Sequence, residues 1–119
     1  MIKKENIILD KSFDFALKII KLYVELKNQH EFVLSKQVLR SGTSIGANVE
    51  EAIGAFSKKE FASKMGIALK EARETSYWLR LLNRSRIINI DYSDYLKEIE
   101  SIVNILTAIV KTSQERKEL

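Results

Sequence analysis

An all-α fold, four amphipathic helices in an antiparallel up-down-up-down bundle, is what this chain of 119 residues predicts. Three observations carry that expectation. Apolar residues recur at three-and-four spacing in four separate stretches, and nothing alternates for long enough to make a strand. Proline is absent and glycine occurs only four times, so little interrupts a long helix. Short links join the stretches, which favours helices packed against their sequence neighbours. As one domain over residues 1–119, a chain of this length buries about two thirds of the surface its unfolded form exposes.

The first helix is expected from about residue 10 to 28. Phe13, Ala16, Leu17, Ile20, Val24 and Lys27 trace one stripe, and Phe15, Ile19, Leu22 and Leu26 trace a second on another face. A helix apolar on two sides is buried on two sides, so this chain is expected to meet a second copy of itself. Residues 29–34 read as a connection. Ser35 is the expected N-cap of a second helix over residues 36–55. The core stripe of that helix is Val38, Ile45, Val49, Ala52, Ile53 and Phe56, with Gly54 or Ala55 placed to relieve a left-handed end.

The third helix, over residues 58–84, has the clearest start. Ser57 is positioned to accept from the backbone N–H of Glu60, and the Glu60 side chain to reach back to the N–H of Ser57. Phe61, Met65, Ala68, Leu69, Ala72, Ser76, Leu79 and Leu82 then hold a helical stripe. The fourth helix, over residues 92–115, begins at Asp91 or Ser93. It carries the cleanest periodicity, through Tyr95, Leu96, Ile99, Ile102, Val103, Leu106, Ile109 and Val110. The polar stretch from Lys111 onward is expected to fray.

Small residues concentrate in the second helix: Gly42, Thr43, Ser44, Gly46 and Ala47. Two glycines in a helix interior cost roughly 1 kcal/mol each relative to alanine, so close approach of another backbone is expected to compensate. Gly42, Gly46 and Val49 would form a shallow groove. Ser41, Ser44, Asn48 and Glu51 would line an adjacent polar stripe that either fixes helix register or borders a small site. Gly42-x-x-x-Gly46 also matches a membrane helix-dimer pattern, but Arg40, Asn48, Glu50 and Glu51 exclude a bilayer setting. It lacks the Gly-Lys-Ser/Thr ending of a phosphate-binding loop and follows no strand.

Enzymatic constellations are thin. Without cysteine there are no disulfides or thiolate metal sites, and a reducing cytoplasm is the expected compartment. No apolar run approaches the ~18 residues of a membrane span, and the opening Met-Ile-Lys-Lys-Glu-Asn lacks a secretion signal. His30 is the only histidine and falls in a connection. Glu50 and Glu51 are adjacent and project about 100° apart, and the Glu-x-x-His motif of bundle metal sites is missing. The expectation is a non-enzymatic protein with no catalytic residue, metal or cofactor.

The net charge is +4, and its distribution is uneven. Lys58, Lys59, Lys64, Lys70, Arg73, Arg80, Arg84 and Arg86 crowd one stretch that holds only Glu60, Glu71 and Glu74, while the rest of the chain is nearly neutral. A polyanion partner is expected there; the alternative is a solvated face with ordinary Lys/Glu spacing. Tyr77 and Trp78 lie among these cations, placed either to stack on unpaired bases or to pack in a helix or subunit interface.

Arg40-Ser-Gly-Thr-Ser-Ile-Gly-Ala-Asn-Val-Glu-Glu-Ala, followed by Phe56-Ser-Lys-Lys-Glu-Phe and Ile67-Ala-Leu-Lys-Glu-Ala, resembles the 23S rRNA intervening-sequence protein family of small bacterial four-helix proteins. The likeness spans nearly the whole chain and is sharpest from Gln37 to Ala72. Ser44, Ile45, Asn48, Val49 and Glu51 fill the family pattern Ser-Ile-x-x-Asn-Ile/Val-x-Glu-Gly, and Gly46 lies within it. Ala52 stands where the family usually has glycine, and Ala55 where a basic residue is common. The resemblance implies a bundle that assembles into a ring, a homopentamer. It also implies kinship with the accessory protein of diversity-generating retroelements, a basic barrel that works with a reverse transcriptase and nucleic acid. Together these readings predict a ring-forming module that binds RNA or DNA, or a nucleic-acid enzyme, through a basic face. Five copies would carry about +20, enough for electrostatic binding to a polyanion. The alternative is a protein–protein scaffold without direct nucleic-acid contact.

Overall fold

The computed structural model describes residues 4–118, with side chains described from residue 5 to residue 114. Four helices and no strand occupy the described residues: α1 (Lys4–Asn28), α2 (Leu34–Ile53), α3 (Lys58–Ser85) and α4 (Ser93–Glu118). Each helix packs on its sequence neighbour and α4 returns to α1, so α1 and α3 lie on one diagonal and α2 and α4 on the other. The order of contacts reverses along three of these pairs. Gly46 meets Ser12 while Gly42 meets Ile19; Lys64 meets Glu51 while Glu71 meets Arg40; Lys11 meets Glu98 while Lys18 meets Asp94.

Helix α1 starts at Lys4, six residues before the expected start, because Ile8 is fully buried and extends the core stripe by two turns. That stripe is Ile8, Phe15, Ile19, Leu22 and Leu26. The other apolar stripe points the opposite way: Phe13 is 60% exposed, and Leu17, Ile20 and Val24 are each close to half exposed.

Ser35 is not the cap of α2. The helix already begins at Leu34, and Ser35 is buried inside its first turn. The carboxylate of Glu31 does the capping, accepting from the backbone N–H of Leu34 at 2.8 Å and of Ser35 at 2.6 Å. A glutamate three residues back reaches farther than a serine, and it frees the Ser35 hydroxyl to donate to the Glu31 carbonyl oxygen at 2.8 Å. At the other end the expected core stripe overshoots. Ala52 is buried, but Ile53 is partly exposed and Phe56 is 100% exposed. Ile53 falls at the edge of the buried stripe, and the helix stops there, so the periodicity no longer aims Phe56 inward. Gly54 caps α2 at φ −87°, and no glycine takes a left-handed conformation.

Ser57 caps α3 as expected, accepting from the N–H of Glu60 at 3.0 Å. The Glu60 carboxylate reaches the N–H of Phe56 at 3.1 Å instead of that of Ser57. Arg86 ends α3 in a left-handed conformation, φ 55°, which a non-glycine residue adopts at some cost. Before α4, Asp91 accepts from both the N–H and the hydroxyl of Ser93. Those donors hold its carboxyl below the usual aspartate range. Helix α4 continues past residue 115 to Glu118. The stretch expected to fray from Lys111 is thus helical as far as it is described.

Candidate functional site

Two surfaces of opposite chemistry emerge from this packing. The first is cationic. With 100° per residue, Lys59, Lys70, Arg73, Tyr77, Arg80 and Arg84 fall within an arc of about 80° on α3, and all six are exposed. The four cations from Lys70 to Arg84 span about 21 Å of helix axis. None forms an ion pair with a carboxylate among the described residues. The stripe is pure because the acids of α3 face elsewhere. Glu71 and Glu74 turn toward α2 and hold Arg40 between them, and Glu60 is engaged at the helix start.

The structure does not gather all eight expected cations. Lys64 sits on the α2 side of α3 and pairs with Glu51 at 3.2 Å. Lys58 lies off the arc at the first turn. Arg86 lies beyond the helix end. Five remain on one line, with Tyr77 in their midst.

The two aromatics part ways. Trp78 is half-buried, and its Nε1 donates to Glu74 at 3.1 Å. Tyr77 is 47% exposed on the cationic stripe, its ring edge-on to Trp78 with centroids 5.1 Å apart. Adjacent in sequence and alike in chemistry, they are separated only by the 100° between their positions on the helix.

The motif residues of α2 turn mostly inward. Gly42 and Gly46 are where α1 lies close, since a Cβ on Gly42 would stand 2.9 Å from Ile19 and one on Gly46 3.3 Å from the Ser12 carbonyl oxygen. Ile45 and Val49 are buried. Asn48 donates to the Ser44 carbonyl oxygen one turn back at 2.9 Å. Ser41, fully buried, pairs with Thr75 of α3 at 2.8 Å. Glu51 is exposed. These polar groups are occupied with one another, and no buried side-chain polar atom lacks a partner among the described residues. Ser41 with Thr75 and Glu51 with Lys64 tie the seam α2–α3, whereas the Asn48–Ser44 bond stays within α2.

The second surface is apolar. Phe13, Leu17 and Ile20 of α1 border a shallow groove of about 320 Å³ against Thr43 and Ala47 of α2. Because α1 and α3 are diagonal, this face points away from the cationic stripe.

Among the described residues, no group of three or more His, Cys, Asp or Glu side chains is placed to hold a metal ion. No helix is long and apolar enough to cross a membrane. The ionisable groups with resolved shifts have local causes. Burial pushes the Tyr92 phenol up to about 12, with Glu25 and Glu31 adding to it, and hydrogen bonding to Asp94 raises Lys18.

Fold and surface together define a class: a four-helix, bundle-like protein with one cationic and one apolar helix face. Its residues 4–108 match the 23S rRNA-intervening sequence protein, and the chain belongs to that family. It is also similar to the crystal structure of a protein of unknown function from the S23 ribosomal protein family of Bacteroides thetaiotaomicron. The two are 49% identical, the match covers 92% of this chain and 99% of the other, and the TM-score is 0.86. No curated protein matches the sequence.

Proposed function

We propose that this protein is a non-enzymatic, self-associating bundle that binds nucleic acid through α3. The observation that carries the reading is the exposed line of Lys59, Lys70, Arg73, Arg80 and Arg84, free of paired carboxylates among the described residues. Unpaired cations on one face attract phosphate and release condensed counterions, which is the main source of affinity in non-specific nucleic-acid binding. The protomer itself is read as one antiparallel up-down-up-down domain, supported by the reversed order of contacts in α1–α2, α2–α3 and α1–α4. Cytoplasmic residence agrees with the absence of cysteine.

Self-association is supported by the exposed apolar face of α1, whose large side chains remain about half exposed or more among the described residues. A ring of five is the arrangement that the family likeness implies. Light scattering at micromolar concentration is expected to give a multiple of the 13.7 kDa protomer, and Leu17→Glu with Ile20→Glu to return it to one protomer. A wild-type mass of 13.7 kDa overturns self-association.

For binding, the double variant Arg73→Glu with Arg80→Glu is the test. The salt dependence of affinity for RNA is expected to fall by about 0.7–0.9 in slope for each lost cation, with the helical circular dichroism unchanged. Wild-type protein that fails to bind RNA or DNA even at low salt refutes direct contact. The second reading, a scaffold for another protein, rests on the same apolar face and then becomes the better one.

A further inference from the structure

Resting on the reading of α3 as a nucleic-acid surface, we propose that Tyr77 stacks on an unpaired base, which makes this a site for single-stranded rather than duplex nucleic acid. Tyr77 lies centrally in the cationic stripe, one helical turn from Arg73 and one from Arg80. Its ring is nearly half exposed, and its hydroxyl makes no hydrogen bond among the described residues. The ring has a neighbour on one side. It rests edge-on against Trp78, Trp78 is tied to Glu74, and Glu74 is held by Arg40 of α2. That relay holds an aromatic surface in position among cations, so less side-chain freedom is lost on binding.

The shape of the molecule separates the two kinds of strand. α3 is flanked on both sides, by α2 and by α4, and the molecule measures 26 × 21 Å across its long axis. The major groove of a duplex is about 12 Å wide and admits one α-helix; with α2 and α4 on either side, the cationic face of α3 meets the phosphate ridges first. There Tyr77 finds no base face to stack on, because every base of a duplex is stacked on its neighbours. An unpaired strand offers phosphates to Lys70, Arg73, Arg80 and Arg84 and turns a base face to the ring between them. A basic track with an interleaved aromatic is the combination that single-strand binders use. The backbone dominates the electrostatics in RNA and DNA alike, so both are within this site's chemistry.

The experiment measures fluorescence anisotropy with a labelled single-stranded RNA, the same sequence as DNA, and each annealed to its complement. Wild-type protein is expected to bind the single strands more tightly than the duplexes. Tyr77→Ala is expected to weaken single-strand binding about 5- to 150-fold, the range of one stacked base, with the salt slope and duplex affinity unchanged. Tyr77→Phe, which keeps the ring, is expected to bind like wild type. Equal affinity of Tyr77→Ala and wild type for single strands, or a loss in Tyr77→Phe as large as in Tyr77→Ala, overturns the stacking role. If Arg73→Glu with Arg80→Glu loses binding while Tyr77→Ala keeps it, the nucleic-acid reading stands and only this inference falls. If wild type binds no strand at low salt, both fall.

Discussion

Phe15→Ala is expected to remove about 3–5 kcal/mol of folding stability, the range for truncating a buried aromatic. Phe15 is 1% exposed and lies in the stripe that joins Ile8 and Ile19 in the core. Domains are stable by only about 5–15 kcal/mol, so this variant should stand at the edge of folding. Its control is two residues away on the same helix. Phe13 has the same side chain but points outward, and Phe13→Ala should cost within about 0.5 kcal/mol in the dilute protomer. Urea denaturation at two protein concentrations separates the roles. The Phe15→Ala loss should be the same at both. The Phe13→Ala loss should grow with concentration, because an oligomer stabilises its folded protomers by mass action. Equal losses for the two variants at low concentration would show that the core and outer faces of α1 have been misassigned.

Gly42→Ala and Gly66→Ala should move stability in opposite directions, although both replace a helical glycine. Alanine gains about 1 kcal/mol over glycine in a helix interior. At Gly66 nothing lies within 4 Å of an added Cβ, so the full gain is expected. At Gly42 the same methyl would stand 2.9 Å from both Cγ1 and Cγ2 of Ile19. Ile19 is fully buried and branched at Cβ, so it cannot step aside without disturbing the core. Overpacking of this kind costs about 1–3 kcal/mol, which at least cancels the gain and on balance destabilises. Thermal melts of the two variants against wild type test the pair. A Gly42→Ala protein as stable as Gly66→Ala would mean that α1 and α2 are not closely apposed there.

Much of this architecture was legible because it depends on periodicity. Four helices, the Ser57 start of α3 and the close approach at Gly42 and Gly46 all follow from side-chain spacing and size. The failures sit where long side chains act at a distance along the chain. Ser35 had the composition of a cap, yet Glu31 reached the same amides first. Phe56 continued a stripe by its spacing, but a periodic pattern carries no mark of the turn at which its helix ends. The candidate site was legible as a charge surplus and not as a line. A count of lysines and arginines does not say that Glu51 withdraws Lys64, or that Arg40 draws Glu71 and Glu74 to the far side. Partner choice on another helix decided which cations stayed free.

The diagonal placement of α1 and α3 has a consequence for binding strength. If copies join through the apolar face of α1, each α3 stays on the outside, and one assembly presents several identical tracks. A strand held by one track is then at high effective concentration for the next, so avidity exceeds the affinity of a single protomer by orders of magnitude when a strand spans neighbouring tracks. A modest grip per protomer is then sufficient. The length of the strand, more than its sequence, would decide how firmly it is held.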